Sequence, residues 1–132
     1  MKNRKFSFWY YTTSHRQALL RSVGKNGDDN IDIYFGDVSY LEIPTDIDGF
    51  EIIPPTQTDK EYIYNKLGFI SCDKLTVLVH EKKKYYILSS DVKIMRNNLS
   101  FFELPFDIPS DMGNTYYKPI KKTNNFNRII AT

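Results

Sequence analysis

Between Asn30 and Gly36 the chain alternates strictly, with Ile31, Ile33 and Phe35 separated by Asp32, Tyr34 and Gly36. Successive side chains of a strand point to opposite faces, so only an extended chain gathers these three apolar groups on one side. The same period recurs at Lys5–Thr13, where Phe6, Phe8 and Tyr10 are expected on one face and Ser7, Trp9 and Tyr11 on the other. This repeated alternation is the strongest constraint on the fold, because a chain built from half-buried strands must close them into a sheet with a covered face.

Turn residues cut the rest into short pieces. Arg16–Val23 reads as a strand before Gly24 and Asn26-Gly27, and Val38–Ile43 as another before Pro44. Asp48-Gly49 predicts a hairpin into Phe50–Ile53, which Pro54-Pro55 stops. Further strands are expected at Phe69–Cys72, Leu75–Glu81, Tyr85–Ser89, Val92–Arg96 and Leu99–Leu104. A helix is predicted at Thr58–Leu67: Thr58 and Glu61 have capping-box spacing, Ile63 and Leu67 share a face, and Gly68 is a natural stop. About seven to nine short strands and one helix near 58–67 predict a mainly β class, with α+β as the alternative: an antiparallel sandwich, a partly closed barrel or a roll.

The chain has 132 residues, which suits a single domain spanning 1–132. From 107 to 132 the pattern weakens, and an irregular segment wrapped on the surface or partly mobile is expected. Aromatic residues make up 15% of the chain, in keeping with a pleated sheet. There is one cysteine, Cys72, so no internal disulfide can form. No leader-like segment is visible, and no apolar run reaches the roughly 20 residues that span a bilayer. A cytoplasmic protein without membrane association is the expectation.

Catalytic chemistry has little to build on. His80 shares a strand face with Leu78 and could approach Cys72, but a packed cysteine and a hydrogen-bonded strand-end histidine account for both. His15 and Arg16 follow Thr12, Thr13 and Ser14 in a polar junction that could hold a phosphate or carboxylate, or could be a solvated turn. No C-x-x-C, H-E-x-x-H or phosphate-binding glycine loop occurs, and Asp46-x-Asp48-Gly49 lacks the rest of a calcium loop. No cofactor and no metal are expected, and no enzyme activity.

Charge is more telling. From Gly24 to Glu61 two lysines stand against ten acids, a balance of −8. Asp28, Asp29, Asp32, Asp37, Glu42, Asp46, Asp48 and Glu51, with Tyr34 and Tyr40 among them, are predicted to form an acidic face with aromatic anchors. The expected function is a non-enzymatic protein-binding domain for a basic partner, for example an immunity-type inhibitor that neutralises a basic toxin in a bacterium. The alternative is a nucleic-acid-binding β domain, with Lys82, Lys83, Lys84, Tyr85 and Tyr86 on a hairpin and Tyr117, Lys118, Lys121 and Lys122 in the tail. A further alternative is a small-ligand binder or enzyme with a pocket near His15, Arg16, Cys72 or His80.

Overall fold

The computed structural model describes residues 1–69, 71, 73–106, 118–119 and 128–129. It is mostly β, with one antiparallel sheet of seven strands curled into a half-barrel and a single short helix. The strands are β1 (Lys5–Thr12), β2 (Gln17–Ser22), β3 (Asn30–Glu42), β4 (Asp46–Asp48), β5 (Glu51–Ile53), β6 (Lys74–His80) and β7 (Lys83–Asn97), in the spatial order β4-β1-β2-β3-β7-β6-β5. The helix α1 is Gln57–Leu67. Strand β8 (Glu103–Leu104) runs parallel to β9 (Lys118–Pro119), and β10 (Arg128–Ile129) pairs with Met95 and Arg96 of β7. Of the three expected architectures, the partly closed barrel is the one that forms.

The concave face holds the main core, including Phe6, Leu20, Ile33, Phe35, Phe50, Leu78, Ile87 and Ile94. The convex face is covered in two places. The helix packs Ile63 onto Val77, Tyr86 and Leu88. The segment after β7 lays Leu104 and Phe106 over Tyr10, Leu19 and Tyr34. Both faces of β2 are therefore buried, which explains why its sequence shows an apolar run rather than clean alternation.

Two bulges alter the expected facing. The β1–β2 register shifts between Phe8 and Tyr10, so Phe6 and Phe8 face the concave core while Tyr10 packs on the convex side with Leu19. An extra residue reverses the parity of everything after it, which strict alternation cannot anticipate. Asn30–Gly36 and Val38–Ile43 merge into β3, which shifts register between Val38 and Tyr40. Tyr85–Ser89 and Val92–Arg96 likewise form the single 15-residue β7.

Asp48-Gly49 does not make a hairpin. Strand β4 pairs with β1 and β5 pairs with β6, at opposite ends of the sheet. Gly49 and Phe50 thus tie the two edges of the half-barrel together. Gly49 has φ +85°, and a Cβ there would lie 2.1 Å from the Lys2 carbonyl oxygen. Its own carbonyl takes a hydrogen bond from His80 Nδ1 at 2.7 Å.

The helix cap also differs from expectation. Thr56, not Thr58, is the N-cap, and Asp59, not Glu61, closes the box. Aspartate at that position reaches the cap backbone and is also buried against Tyr86, which fixes the helix start. Gly68 ends the helix in the left-handed conformation, as expected. Leu99–Leu104 is not one strand: Ser100 to Glu103 forms a turn, and only Glu103–Leu104 is extended. Of the expected strand at Phe69–Cys72, Phe69 and Ser71 do not belong to a strand, and Ile70 and Cys72 lie outside the described residues.

Candidate functional site

The acidic segment does not assemble into one acidic face. Asp32 is fully buried and receives both Nε and Nη2 of Arg21 at 2.7 and 2.8 Å. Asp37 pairs with Arg16, Glu51 with Lys2, and Glu42 with Lys66. Asp59 pairs with Lys84 at 3.0 Å. Every one of these cations comes from outside Gly24–Glu61. Asp28 lines a cleft with Arg4, Lys5 and Lys25, while the Asp29 backbone carbonyl accepts from Arg4. Tyr34 is half-buried against Phe106, and Tyr40 donates to Glu42 at 2.6 Å. Asp46, Asp48 and Glu61 form no salt bridge among the described residues. Asp46 accepts only from Ser7 at 2.6 Å, and Asp48 lines a depression of about 390 Å³ with Lys2, Glu51, His80 and Glu81.

The buried Arg21–Asp32 pair is the centre of a larger clamp on the convex face. Asn97 Nδ2 donates to Asp32 at 2.8 Å, and Asn30 Nδ2 to the Leu99 carbonyl at 2.8 Å. Arg21 also donates to the carbonyls of Ser100 and Glu103 at 3.2 and 2.9 Å. A bidentate guanidinium with its remaining donors on backbone oxygens is well compensated despite burial. The clamp therefore binds residues 99–103 to the sheet.

Above the clamp lies an aromatic patch. The Trp9 ring covers the Arg21 guanidinium at 5.3 Å and meets Phe101 edge-on at 4.8 Å. Phe101 in turn meets Phe102 at 4.8 Å. Trp9 Nε1 donates to the Phe101 carbonyl at 3.3 Å. Yet Phe101 is 58% exposed, Phe102 44% and neighbouring Val23 51%. Large apolar side chains held in fixed positions but left in water are unusual on a small domain. Sequence reading missed this group. The available signal was Phe101-Phe102 beside the turn-forming Asn97-Asn98, together with Arg21 directly after the apolar run Ala18–Leu20.

A second polar joint seats the helix. Burial pushes the Asp59 carboxyl pKa up, but hydrogen bonds from the Thr56 backbone, the Lys84 ammonium, the Thr56 hydroxyl and the Tyr86 hydroxyl outweigh it and hold it at about 2. Burial and the bond to Asp59 push Tyr86 up to about 12. Burial also pushes Glu42 up, and bonds from Lys66, Tyr40 and Tyr62 bring it below the usual carboxylate range.

The remaining candidates are scattered. Ser14 Oγ and His15 Nδ1 lie 2.9 Å apart on an exposed turn. His80 is bound to the Gly49 carbonyl, and Cys72 lies outside the described residues. Among the described residues no group of three metal-ligating side chains occurs. Lys84 is paired with Asp59, Tyr86 is buried, and Tyr85 packs on the main core, which leaves Lys82 and Lys83 exposed. Tyr117, Lys121 and Lys122 lie outside the described residues, and Lys118 is described only as part of β9. No helix among the described residues is long and apolar enough to cross a membrane. Compared with protein-family models, curated proteins and solved structures, the chain matches none.

Proposed function

We propose that the protein is a non-catalytic domain that binds a basic protein partner through the patch of Trp9, Val23, Phe101 and Phe102. The observation that carries this reading is that Phe101 is 58% exposed while its backbone is fixed to the buried clamp. Aromatic side chains dominate interface energies, and anchors already ordered in the free protein lose little entropy on binding. Asp46 and Asp48 supply the charge preference. They lie on β4 opposite Ser7 and Lys5, and Ser7 shares the convex face with Trp9. A basic toxin neutralised by an immunity-type inhibitor in the cytoplasm of a bacterium is the partner class this reading favours.

The test compares wild type with Phe101→Ala/Phe102→Ala and Asp46→Lys/Asp48→Lys as baits, followed by titration of each purified captured protein. The aromatic variant is expected to lose the partner at all salt concentrations. The charge variant is expected to weaken binding mainly at low salt, by slower association. Unchanged affinity of the aromatic variant for every captured protein refutes the reading.

A further inference from the structure

Beyond that reading, a second surface is built for an anion. Arg4 precedes β1 at one end of the half-barrel. Its Nε donates to Ser22 Oγ at 2.9 Å, and its Nη2 donates to the carbonyls of Ser22 and Asp29 at 3.1 and 3.0 Å. All three acceptors are neutral, so among the described residues the guanidinium is fixed in place without an ion pair and its Nη1 makes no hydrogen bond. Lys5 and Lys25 also lack a salt bridge among the described residues. These three cations line a cleft of about 200 Å³ with Ser22, Val23 and Asp28. Three cations and the Asp28 carboxylate line it, with Arg96 and Asp29 also close enough to act on Arg4. Burial and the nearby Arg96 together lower the Arg4 pKa, and Asp28 and Asp29 only partly offset them.

A pre-ordered guanidinium with free donors, backed by two flexible ammonium groups, is a receptor for a tetrahedral dianion. We propose that the Arg4–Lys5–Lys25 cleft binds a phosphate group. The phosphate oxygens accept from Arg4 Nη1, and Lys5 and Lys25 close over it from the two sides. Asp28 is the opposing charge that limits affinity, and the surplus of cations favours a dianion over a singly charged carboxylate.

The probe is inorganic phosphate, added to the full chain at constant ionic strength against chloride and acetate, with binding followed by calorimetry and by amide shifts at Arg4, Val23 and Lys25. Saturable phosphate binding without an acetate response is expected. Lys5→Gln/Lys25→Gln should weaken it about tenfold, as two partly screened charge contacts imply. Asp28→Asn should strengthen it several-fold. Arg4 itself is left intact because it also holds Ser22 and Asp29. The proposal is overturned by the absence of saturable binding, by lysine variants that bind as wild type, or by an Asp28→Asn variant that does not bind more tightly.

Discussion

Replacing Arg21 with methionine should be among the most damaging single changes this domain can suffer. Arg21 is 1% exposed and Asp32 is fully buried, so methionine fills the space but leaves a carboxylate in the interior without its cation. Breaking such a pair from one side costs about 3–5 kcal/mol. The carbonyls of Ser100 and Glu103 lose their donors as well, at about 1 kcal/mol each. A domain of this kind is stable by roughly 5–15 kcal/mol, so Arg21→Met removes a third or more of the total. Asp32→Leu alone should cost less, because Arg21 keeps two carbonyl acceptors and the Trp9 ring. The double variant should recover part of the loss, since no unpaired charge remains, but not all of it. Asn97 Nδ2 and the two carbonyls still lack partners, which leaves a deficit of about 2–3 kcal/mol. Urea unfolding followed by fluorescence measures this directly, because Trp9 is the chain's one tryptophan and sits on Arg21. A coupling energy of at least about 2 kcal/mol is expected from the cycle. Additive costs, or an Arg21→Met loss below about 1 kcal/mol, would refute the idea of a charge-compensated clamp.

Asp59→Asn should lower stability by about 2 kcal/mol at neutral pH, as its fall from 3.8 to about 2 implies. That stability is present above about pH 4 and disappears as pH falls towards 2, so denaturation curves of variant and wild type should converge in acid. A gap that stays constant with pH counts against it. Thr56→Ala should cost about 1 kcal/mol by urea titration and Thr58→Ala less than about 0.5 kcal/mol, and the reverse order would restore the cap expected from sequence. Gly49→Ala should lower the melting temperature sharply, because its Cβ meets the Lys2 carbonyl at 2.1 Å in a left-handed backbone. An unchanged melting temperature would mean that the link between the sheet edges can shift freely. Phe101→Ala should leave stability within about 0.5 kcal/mol while removing the proposed partner, since this residue is 58% exposed.

The legible part of the fold is the part governed by local rules. Alternation located β1 and the first part of β3, strand-forming residues between turn signals located the two pieces that join as β7, and Gly68 marked the end of the helix. What alternation cannot show is a bulge. The shift beside Trp9 turns Tyr10 to the opposite face, and the shift after Val38 turns Tyr40 outward towards the helix. Nor can a short-range turn signal reveal which strands meet. Asp48-Gly49 has hairpin chemistry and a positive φ, yet its flanking strands pair at opposite edges because the curled sheet brings those edges together. The cap moved from Thr58 to Thr56 for a tertiary reason, the bonds that Lys84 and Tyr86 make to Asp59.

The acidic middle of the chain failed as a map of the surface for a reason inherent in antiparallel sheets. A run of local sequence is laid out along strands whose neighbours come from elsewhere, so its charges face distant parts of the chain. Asp32 meets Arg21 across β2 and β3, Asp37 meets Arg16, Glu42 meets Lys66 of the helix, and Asp59 meets Lys84 of β7. Each pairing cancels a charge that sequence counting assigns to a face. The same argument runs in reverse where the adjacent pair Arg4 and Lys5 is brought beside Lys25 and Asp28, so that a cleft lined mainly by cations adjoins the acidic segment. A partner attracted by long-range charge therefore meets a surface of small, mixed fields, and affinity must come from contact. The exposed aromatic cluster anchored by the buried clamp is the proposed source of that contact. On that account the interior ion pair and the exposed phenylalanines are one device: the first fixes the turn that the second must present.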